Sequence, residues 1–347
     1  MADKDSANQA RLIATEEAFA TPEYIAAFSK LAPTISSAGV RYAAQFVTDQ
    51  EMGRMFSDPA LRLADMDANG IDMHLLSLVS PGVQIFDADL GTSLAAKTND
   101  RLAELVRQHP DRFAGLAAVA PQDPVQAARE VERAMKSLGL NGIIINSHTH
   151  GEFLDDPKFS PLLEAAQSYR APIYLHPSFP PDSMIKPFED YGLHGAIWGF
   201  AAEAGLHAVR MVVGGVFDRF PDLQIVLGHM GEGLPYFLFR LDNVYGFLRR
   251  QHVPGMPRLK RNPSDYVRSN IHITTSGMFW DDLLEFGAKT LGAERILFAI
   301  DYPFESSRIA RDFIANASIS SVDRAKIMSQ NAERLFNIPS RPPTLRA

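Results

Sequence analysis

The chain has 347 residues, of which 46% are hydrophobic and 22% are charged, with 34 basic against 41 acidic side chains. This mildly acidic composition argues against a nucleic-acid partner, and the absence of cysteine excludes disulfides, thiolate nucleophiles and cysteine-bound metals. Residues 1–10 are polar without the apolar core of a signal peptide, and charges interrupt the most apolar stretch, 194–217. We therefore expect a cytoplasmic protein with no membrane partner, a disordered N-terminus over 1–10 and a buried or interface helix pair over 194–217.

Eight short apolar runs predict β-strands, and most are followed by segments with helical spacing. Among the helical segments, 58–70, 94–110 and 124–139 have the most regular pattern, and Asp123 and Gly139 are the expected caps of the last one. Buried strands that alternate with helices predict parallel strands joined by right-handed crossovers. The predicted strands are 12–15, 74–79, 113–119, 142–146, 172–176, 224–229, 271–276 and 295–301.

The number of these units predicts an α/β fold of the (β/α)8 TIM-barrel type, with a doubly wound open sheet as the competing arrangement. Two connections are longer than a crossover requires, one after the first strand (17–57) and one after the fifth (177–222). Long loops at the carboxyl ends of barrel strands usually form a substrate pocket or a subunit contact. No repeat or linker divides the chain, so we expect a single domain over residues 1–347.

A barrel predicts that functional side chains lie where its strands end. Glu16 follows the first strand, His176 ends the fifth, His229 ends the sixth and Asp301 ends the eighth. Two carboxylates and two imidazoles that meet at one face are typical of a divalent-metal site with acid–base groups around it. Taken alone, each of these residues is as consistent with a purely structural role, as a hydrogen-bonded residue at the end of a strand, as with a functional one.

Two other groupings are less consistent with a metal site. His148 and His150 form the one His-x-His pair in the chain, but they follow the fourth predicted strand on a turn-like segment. Glu203 and His207 are four residues apart, which places both on one face of a helix. We expect the first pair to be a loop and the second to support the pocket wall through hydrogen bonds.

The sequence resembles the amidohydrolase superfamily, and within it the aromatic-acid decarboxylases that act on γ-resorcylate, 2,3-dihydroxybenzoate and 5-carboxyvanillate. The resemblance extends from about residue 11 to 338. It rests on "ATEEAFAT" (14–21), "SPGVQ" (80–84), "YLHP" (174–177), "LGHMGEGLPY" (227–236), "TTSG" (274–277) and "ILFAIDYPFE" (296–305).

The resemblance implies that one divalent metal ion is bound by Glu16, His176 and Asp301. Most of the superfamily has His-x-His at the end of the first strand, whereas this chain has Glu16 and Ala18 there. A ligand set with two carboxylates suits Mn²⁺ at least as well as Zn²⁺. Glu17 is expected to point to the other side of the strand and to pair with a basic side chain or backbone amides.

The implied reaction is the non-oxidative decarboxylation of a phenolic acid, through protonation of the ring before CO₂ leaves. Asp301 is the implied acid, and His229, three residues from Glu232 and oriented by it, positions or shuttles protons. Arg240 would either meet an anionic substituent of the substrate, in its own pocket or in that of a neighbouring subunit of a homodimer or homotetramer, or form an ordinary surface salt bridge.

The substrate pocket is expected to contain Val79, Phe200 and Phe304. Val79 and Phe304 stand where 5-carboxyvanillate decarboxylases are expected to have threonine and tyrosine. The arginine with which those enzymes bind a second carboxylate has no clear counterpart here, and Arg41 and Arg54 are candidates for it. These departures favour a phenolic mono-acid or a ring with an apolar substituent. The alternatives are a metal-dependent hydrolase, disfavoured by Asn146 at the end of the fourth strand, and a non-catalytic binding protein.

Overall fold

The computed structural model describes residues 11–340, which form alternating parallel strands and helices. The N-terminal segment 1–10, predicted to be disordered, lies outside the described residues. The strands are β1 (Ile13–Phe19), β2 (Met73–Leu78), β3 (Phe113–Gly115), β4 (Ala117–Ala118), β5 (Ile143–Asn146), β6 (Ile173–His176), β7 (Ile225–Leu227), β8 (Ile271–Thr274) and β9 (Ile296–Leu297).

The strands form two sheets in chain order, one of β1 to β3 and one of β4 to β9, and every hydrogen-bonded pair is parallel. The predicted strand 113–119 is interrupted at Leu116, whose N–H still donates to the carbonyl of Leu76 in β2. Backbone hydrogen bonds from Thr15 to the Phe298 carbonyl and from Asp301 to the Glu16 carbonyl join the chain beyond β9 to β1. These bonds bring the last segment back to the first, as expected for a TIM-type barrel.

Helices cover the outside of the strands and form the two insertions. They are α1 (Pro22–Leu31), α2 (Ala38–Val47), α3 (Gln50–Ser57), α4 (Pro59–Asn69), α5 (Ala88–Gln108), α6 (Pro124–Arg133), α7 (Ser160–Ser168), α8 (Gly199–Val213), α9 (Val216–Arg219), α10 (Leu238–Arg250), α11 (Pro263–Asn270), α12 (Asp281–Leu291), α13 (Ser307–Asn316), α14 (Ser321–Ala325) and α15 (Asn331–Leu335). Among the described residues, no helix is long and apolar enough to cross a membrane.

The ends of α6 match the caps predicted from the sequence. The Asp123 side chain accepts hydrogen bonds from the amides of Val125 and Gln126, which satisfies two of the free N–H groups at the helix start. A π-helical turn over Ala134–Leu138 continues the helix, and Gly139 ends it with a left-handed conformation at φ 69°.

The first insertion folds as α1, α2 and α3, and the second as irregular chain followed by α8 and α9. The predicted helix pair over 194–217 is therefore present, although its first helix begins at Gly199. Both insertions leave the barrel at the carboxyl ends of their strands, the end that carries the functional side chains of such barrels.

Candidate metal centre and substrate pocket

Glu16 lies within β1, so the prediction that it follows the first strand is wrong. The strand continues to Phe19, and its register against β2 shifts between Ala14 and Glu17, where β1 has one extra residue. A bulge of this kind redirects a side chain out of the regular alternation of a strand. Glu16 is 2% exposed and faces the pocket beneath the carboxyl ends of the strands.

Three hydroxyl groups hold one carboxylate oxygen of Glu16. Oε2 accepts short hydrogen bonds from the hydroxyls of Tyr174 and Ser276 and a third bond of 3.0 Å from Thr274. The other oxygen, Oε1, is buried and has no hydrogen-bond partner among the described residues. A buried carboxylate oxygen without a partner is costly, and Oε1 therefore faces the position where a cation would satisfy it.

His176 is the last residue of β6, as predicted, and presents Nε2 to this oxygen. Its Nδ1 lies 2.8 Å from the carbonyl of Pro177, which can accept only if Nδ1 carries the proton. That hydrogen bond leaves the Nε2 lone pair free, 3.6 Å from Glu16 Oε1. A ring whose outer nitrogen donates to a carbonyl is the usual arrangement of a metal-binding histidine.

Asp301 lies four residues beyond β9, so the prediction that it ends the eighth strand is wrong in its boundary. Its backbone has φ 79°, in the left-handed region that non-glycine residues rarely occupy. The conformation turns its side chain towards Glu16 and His176, and potential ligand atoms of the three residues lie within 4.8 Å of one another. One ion can be bound by all three.

His229 lies two residues past β7, rather than at its end, in a turn with φ 48°. Its Nδ1 is 2.7 Å from Glu232 Oε1, and its Nε2 is 3.7 Å from both Glu16 Oε1 and Asp301 Oδ2. Glu232 itself does not line the pocket and instead orients the ring from behind. The imidazole therefore faces the same space as the three candidate ligands.

The electrostatics of these groups are tightly linked. Burial disfavours the charged form of His229, but the carboxylates of Glu232 and Glu16 outweigh it and raise the histidine's pKa well above its usual value. Burial and the charge of Glu16 raise the pKa of Asp301. Burial also opposes ionisation of Glu16, yet its neighbours His229 and His176 lower its pKa overall.

Aromatic side chains enclose the rest of the pocket. We call the set Tyr42, Phe46, Phe179, Phe200 and Phe304 the aromatic wall. Its rings contact one another at centroid distances of 5.0–6.3 Å, most of them edge to face. Val79 also lines the pocket, as do Phe200 and Phe304, which agrees with their predicted location. The wall can bind a flat apolar ring.

Arginines do not reach this pocket in the described chain. Arg240 lies exposed on α10 and is absent from the pocket lining, as are Arg41 and Arg54. None of the residues that line the pocket is arginine or lysine. An anionic substituent on the ring would therefore find no cationic partner within this subunit's pocket, apart from a metal or a protonated histidine.

The two pairs that were less consistent with a metal site, His148 with His150 and Glu203 with His207, contact groups outside the candidate ligand set. His148 Nε2 lies 3.1 Å from the Phe179 carbonyl and His150 Nε2 lies 3.1 Å from the Phe86 carbonyl, so both support loops. His207 accepts from the Leu154 amide and contacts the Ser147 hydroxyl. Glu203 lies beside Ser147 with burial raising its pKa to about 8.

The sequence analysis did not identify the groups that hold Glu16 or most of the aromatic wall. Tyr174 and His176 are two residues apart on β6, and Thr274 and Ser276 are two apart at the end of β8. Since side chains two apart on a strand share a face, Tyr174 could have been placed beside the predicted ligand His176, whereas Thr274 and Ser276 share a face on a strand that carries no predicted ligand. Tyr42, Phe46 and Phe179 lie in the insertions and have no such periodic signal.

Comparisons with known proteins agree on one family. Residues 44–338 match the family described as amidohydrolase. The chain is 38% identical to a γ-resorcylate decarboxylase of Polaromonas sp. over 94% of this chain and 98% of that protein. It superposes on the crystal structure of 5-carboxyvanillate decarboxylase from Sphingomonas paucimobilis with a TM-score of 0.91 and 44% identity, covering 95% and 99% of the two chains.

A further solved structure contains ligands. It is the 5-carboxyvanillate decarboxylase of Novosphingobium aromaticivorans, complexed with manganese and 4-hydroxy-3-methoxy-5-nitrobenzoic acid. Its TM-score is 0.91 at 39% identity, with 94% of this chain and 96% of that chain covered.

Proposed function

The chain belongs to the amidohydrolase family, in the branch of metal-dependent aromatic-acid decarboxylases, and we propose that it is a carboxy-lyase that removes CO₂ from a hydroxybenzoate. One observation carries the proposal. Three potential metal ligands, Glu16, His176 and Asp301, meet at one end of a pocket whose other side is the aromatic wall. An anionic aromatic acid fits both sides of that pocket.

The residues fit a divalent metal. Within residues 11–340, Glu16 Oε1 has no hydrogen-bond partner, and the His176 proton lies on the nitrogen that faces away from it. The set contains two carboxylates and one imidazole. Oxygen-rich sets of this kind favour Mn²⁺, with Zn²⁺ as the second candidate. The manganese bound by the Novosphingobium relative supports the same choice. When bound, the ion supplies a positive charge that orients the carboxylate and the neighbouring phenolic oxygen and stabilises charge that develops on them.

The proposed mechanism assigns a task to each polar residue. Loss of CO₂ from an intact ring would leave an unstable aryl carbanion, so the ring carbon that bears the carboxylate must first receive a proton. Asp301 is the proposed acid, since it faces the pocket next to the other two ligands, and the phenolic hydroxyl of the arriving substrate would supply its proton. His229, held by Glu232, positions or shuttles protons beside it. CO₂ then leaves, and the electrons of the broken bond restore aromaticity.

The proposed substrate is a phenolic mono-acid, or a vanillate-like ring with an apolar substituent. Val79, Phe200 and Phe304 would contact the ring, and the lining of the pocket offers no lysine or arginine to a second carboxylate. Burying an unpaired carboxylate costs several kcal/mol, which is enough to reject a di-acid. Arg240 remains the proposed partner of an anionic group only if it enters from another subunit.

The hydrolase alternative has less support. Asn146, at the end of β5, occupies the place where a bridging lysine or carboxylate would serve a second metal, and its side chain donates to the Leu78 carbonyl at 3.5 Å. The set Glu16, His176 and Asp301 provides for one ion. Hydrolysis at such a site would need a water activated without the second ion.

The assembly and location are also proposals. We propose a homodimer or homotetramer, because Tyr236, Phe237 and Phe239 are 54–83% exposed immediately before Arg240. Exposed aromatic side chains next to an arginine have the composition of an interface between subunits. We propose a single barrel domain over the chain and, from its composition, a cytoplasmic location.

The test is release of CO₂ from a panel of hydroxybenzoates by protein loaded with Mn²⁺. We expect decarboxylation of at least one member, loss of activity after chelation, and recovery when Mn²⁺ is returned. A metal-loaded protein that releases no CO₂ from any member, but hydrolyses an aromatic amide or lactone, would contradict the proposal.

A further inference from the structure

Glu17, the neighbour of the metal-facing Glu16, binds the backbone on both sides of Asp301. Its Oε1 accepts a hydrogen bond of 3.0 Å from the Ile300 amide, and its Oε2 accepts one of 3.0 Å from the Tyr302 amide. The side chain is fully buried. The expectation that Glu17 pairs with backbone amides is confirmed, and the amides that it binds are those that flank Asp301.

The backbone of Asp301 requires such support. Its φ of 79° costs free energy for a residue with a side chain, and conformations of this kind persist where surrounding contacts impose them. The Asp301 amide itself donates to the Glu16 carbonyl at 3.1 Å. Three consecutive amides, of residues 300, 301 and 302, are therefore all bound by two adjacent residues of β1.

Arg62 reinforces the same connection between the Asp301 segment and β1. Its guanidinium lies 4.6 Å from the centroid of the Tyr302 ring, and it donates a short hydrogen bond to the Ala18 carbonyl of β1. Arg62 is 2% exposed. The segment that carries Asp301 is thus fixed to β1 through both its backbone and the side chain of Tyr302.

We propose that Glu17 is a positioning residue that holds Asp301 in the orientation needed for metal binding and proton transfer. The inference rests on the proposed function, since it concerns the same site. It explains why two glutamates are adjacent in β1: Glu16 faces the metal position, and Glu17 fixes the segment that brings the next carboxylate to it. The two roles require opposite faces of the strand, which adjacent residues of a strand supply.

Glu17→Gln tests the role with little change in shape. The amide of glutamine offers one acceptor oxygen, while its NH₂ group meets the second backbone N–H with a donor instead of an acceptor. We expect the dissociation constant for Mn²⁺, measured by calorimetry on metal-free protein, to rise about 10–100-fold. We expect kcat at saturating Mn²⁺ to fall at least about tenfold with KM changed less than about threefold, since Asp301 is mispositioned for the chemical step.

Asn331→Ala is the matched control. Asn331 is also fully buried, and its side chain binds the backbone near the start of β9, donating to the carbonyls of Ala293 and Ile296. This variant loses two backbone hydrogen bonds as well, but at the end of the strand away from Asp301. We expect Tm to drop about as much as in Glu17→Gln, while Mn²⁺ affinity and kcat stay within about threefold of wild type. Metal binding should be unaffected because the lost hydrogen bonds lie at the start of β9, away from Asp301.

Glu17→Asp keeps the proposal testable if the glutamine variant does not fold. The shorter carboxylate retains two acceptors but lies one methylene group further from the two amides, so Mn²⁺ affinity and kcat should each fall by more than about threefold. Hydrogen exchange of the amides of Ile300 and Tyr302 should become faster at the same time. Mn²⁺ affinity and kcat within threefold of wild type in a folded Glu17 variant, or equal losses in Asn331→Ala, would overturn the proposal. A wild-type protein that binds Mn²⁺ but decarboxylates nothing would refute the proposed function alone, because the affinity measurement still tests Glu17.

Discussion

The metal-facing side of the pocket is built from strands, whereas the aromatic wall is built mostly from insertions. Glu16 and His176 lie in β1 and β6, and hydroxyls of β6 and β8 hold Glu16 in place. Tyr42 and Phe46 come from α2, and Phe179 and Phe200 come from the second insertion. Because the insertions can change without disturbing the barrel, the first region is suited to fix the chemistry and the second to select the ring.

The largest expected effect comes from breaking the metal-facing side. In His176→Ala the ion loses its nitrogen ligand, so we expect Mn²⁺ binding and activity to be lost together. Elemental analysis of the purified variant, with activity assayed on the same sample, checks this. Full metal occupancy in His176→Ala would show that the ligand set is wrong, while the aromatic wall could still be the ring site.

The metal-facing side could be predicted from the sequence better than the aromatic wall, because the two regions are built from different elements. The barrel and the positions of Glu16, His176 and Asp301 were predictable because buried strands have a clear apolar pattern and family motifs coincide with their ends. The exact ends were wrong for Glu16 and Asp301, since a bulge and a left-handed residue depend on contacts with other strands. Tyr42 and Phe46 could not be placed, because helical spacing does not show which side of an inserted helix faces a pocket.

The second prediction tests the aromatic wall. Relative to 2,3- and 2,6-dihydroxybenzoate, we expect kcat/KM for 5-carboxyvanillate to be at least about 100-fold lower, which corresponds to about 2.7 kcal/mol in the transition state. The cause is the unpaired second carboxylate opposite the metal. Steady-state kinetics on one enzyme preparation provides the comparison.

A substitution in the wall sharpens that comparison. Phe304 is 43% exposed, so Phe304→Arg can place a guanidinium at the pocket without burying it fully. We expect the relative kcat/KM for the di-acid to rise at least about tenfold, as one charge-assisted hydrogen-bonded pair permits, while Phe304→Leu leaves the ratio unchanged. A hundredfold preference of the wild type for 5-carboxyvanillate would contradict the mono-acid proposal. If Arg240→Met then lost that preference, Arg240 would be the arginine that binds the second carboxylate.

A smaller effect is expected behind the metal-facing side, at Glu203. Burial raises the pKa of Glu203 to about 8. Between pH 6.5 and 8 the folded protein therefore keeps, in part, a proton that the unfolded chain has already released. The contribution of Glu203 to stability falls as pH rises, by at most about 1.4 kcal/mol per pH unit. Burial lowers the pKa of the nearby His207 to about 3, so that histidine is neutral in the folded protein throughout this range.

The measurement is urea unfolding of Glu203→Gln and wild type across pH 6.5–8. The free energy of unfolding of Glu203→Gln should fall less steeply with pH than that of wild type, by up to the slope that one bound proton causes. Glu51→Gln, on the exposed side of α3, should keep the wild-type slope. Identical slopes in wild type and Glu203→Gln would mean that Glu203 is ionised in the folded protein.

The smallest effect is expected at His148 and His150, in the loop after β5. Both rings contact backbone carbonyls of Phe179 and Phe86, 3.1 Å away, and neither lies in the group that can hold a metal. The double change of both histidines to Gln preserves a donor at each position, so Mn²⁺ content should equal that of wild type and kcat should stay within about threefold, since a retained hydrogen bond changes little free energy. Phe179 belongs to the aromatic wall, and a modest rise in KM would therefore come from its backbone and not from the metal. If metal content instead fell as it does in His176→Ala, the ligands would have to include the loop after β5, and the division between a strand-built metal side and an insertion-built wall would fail.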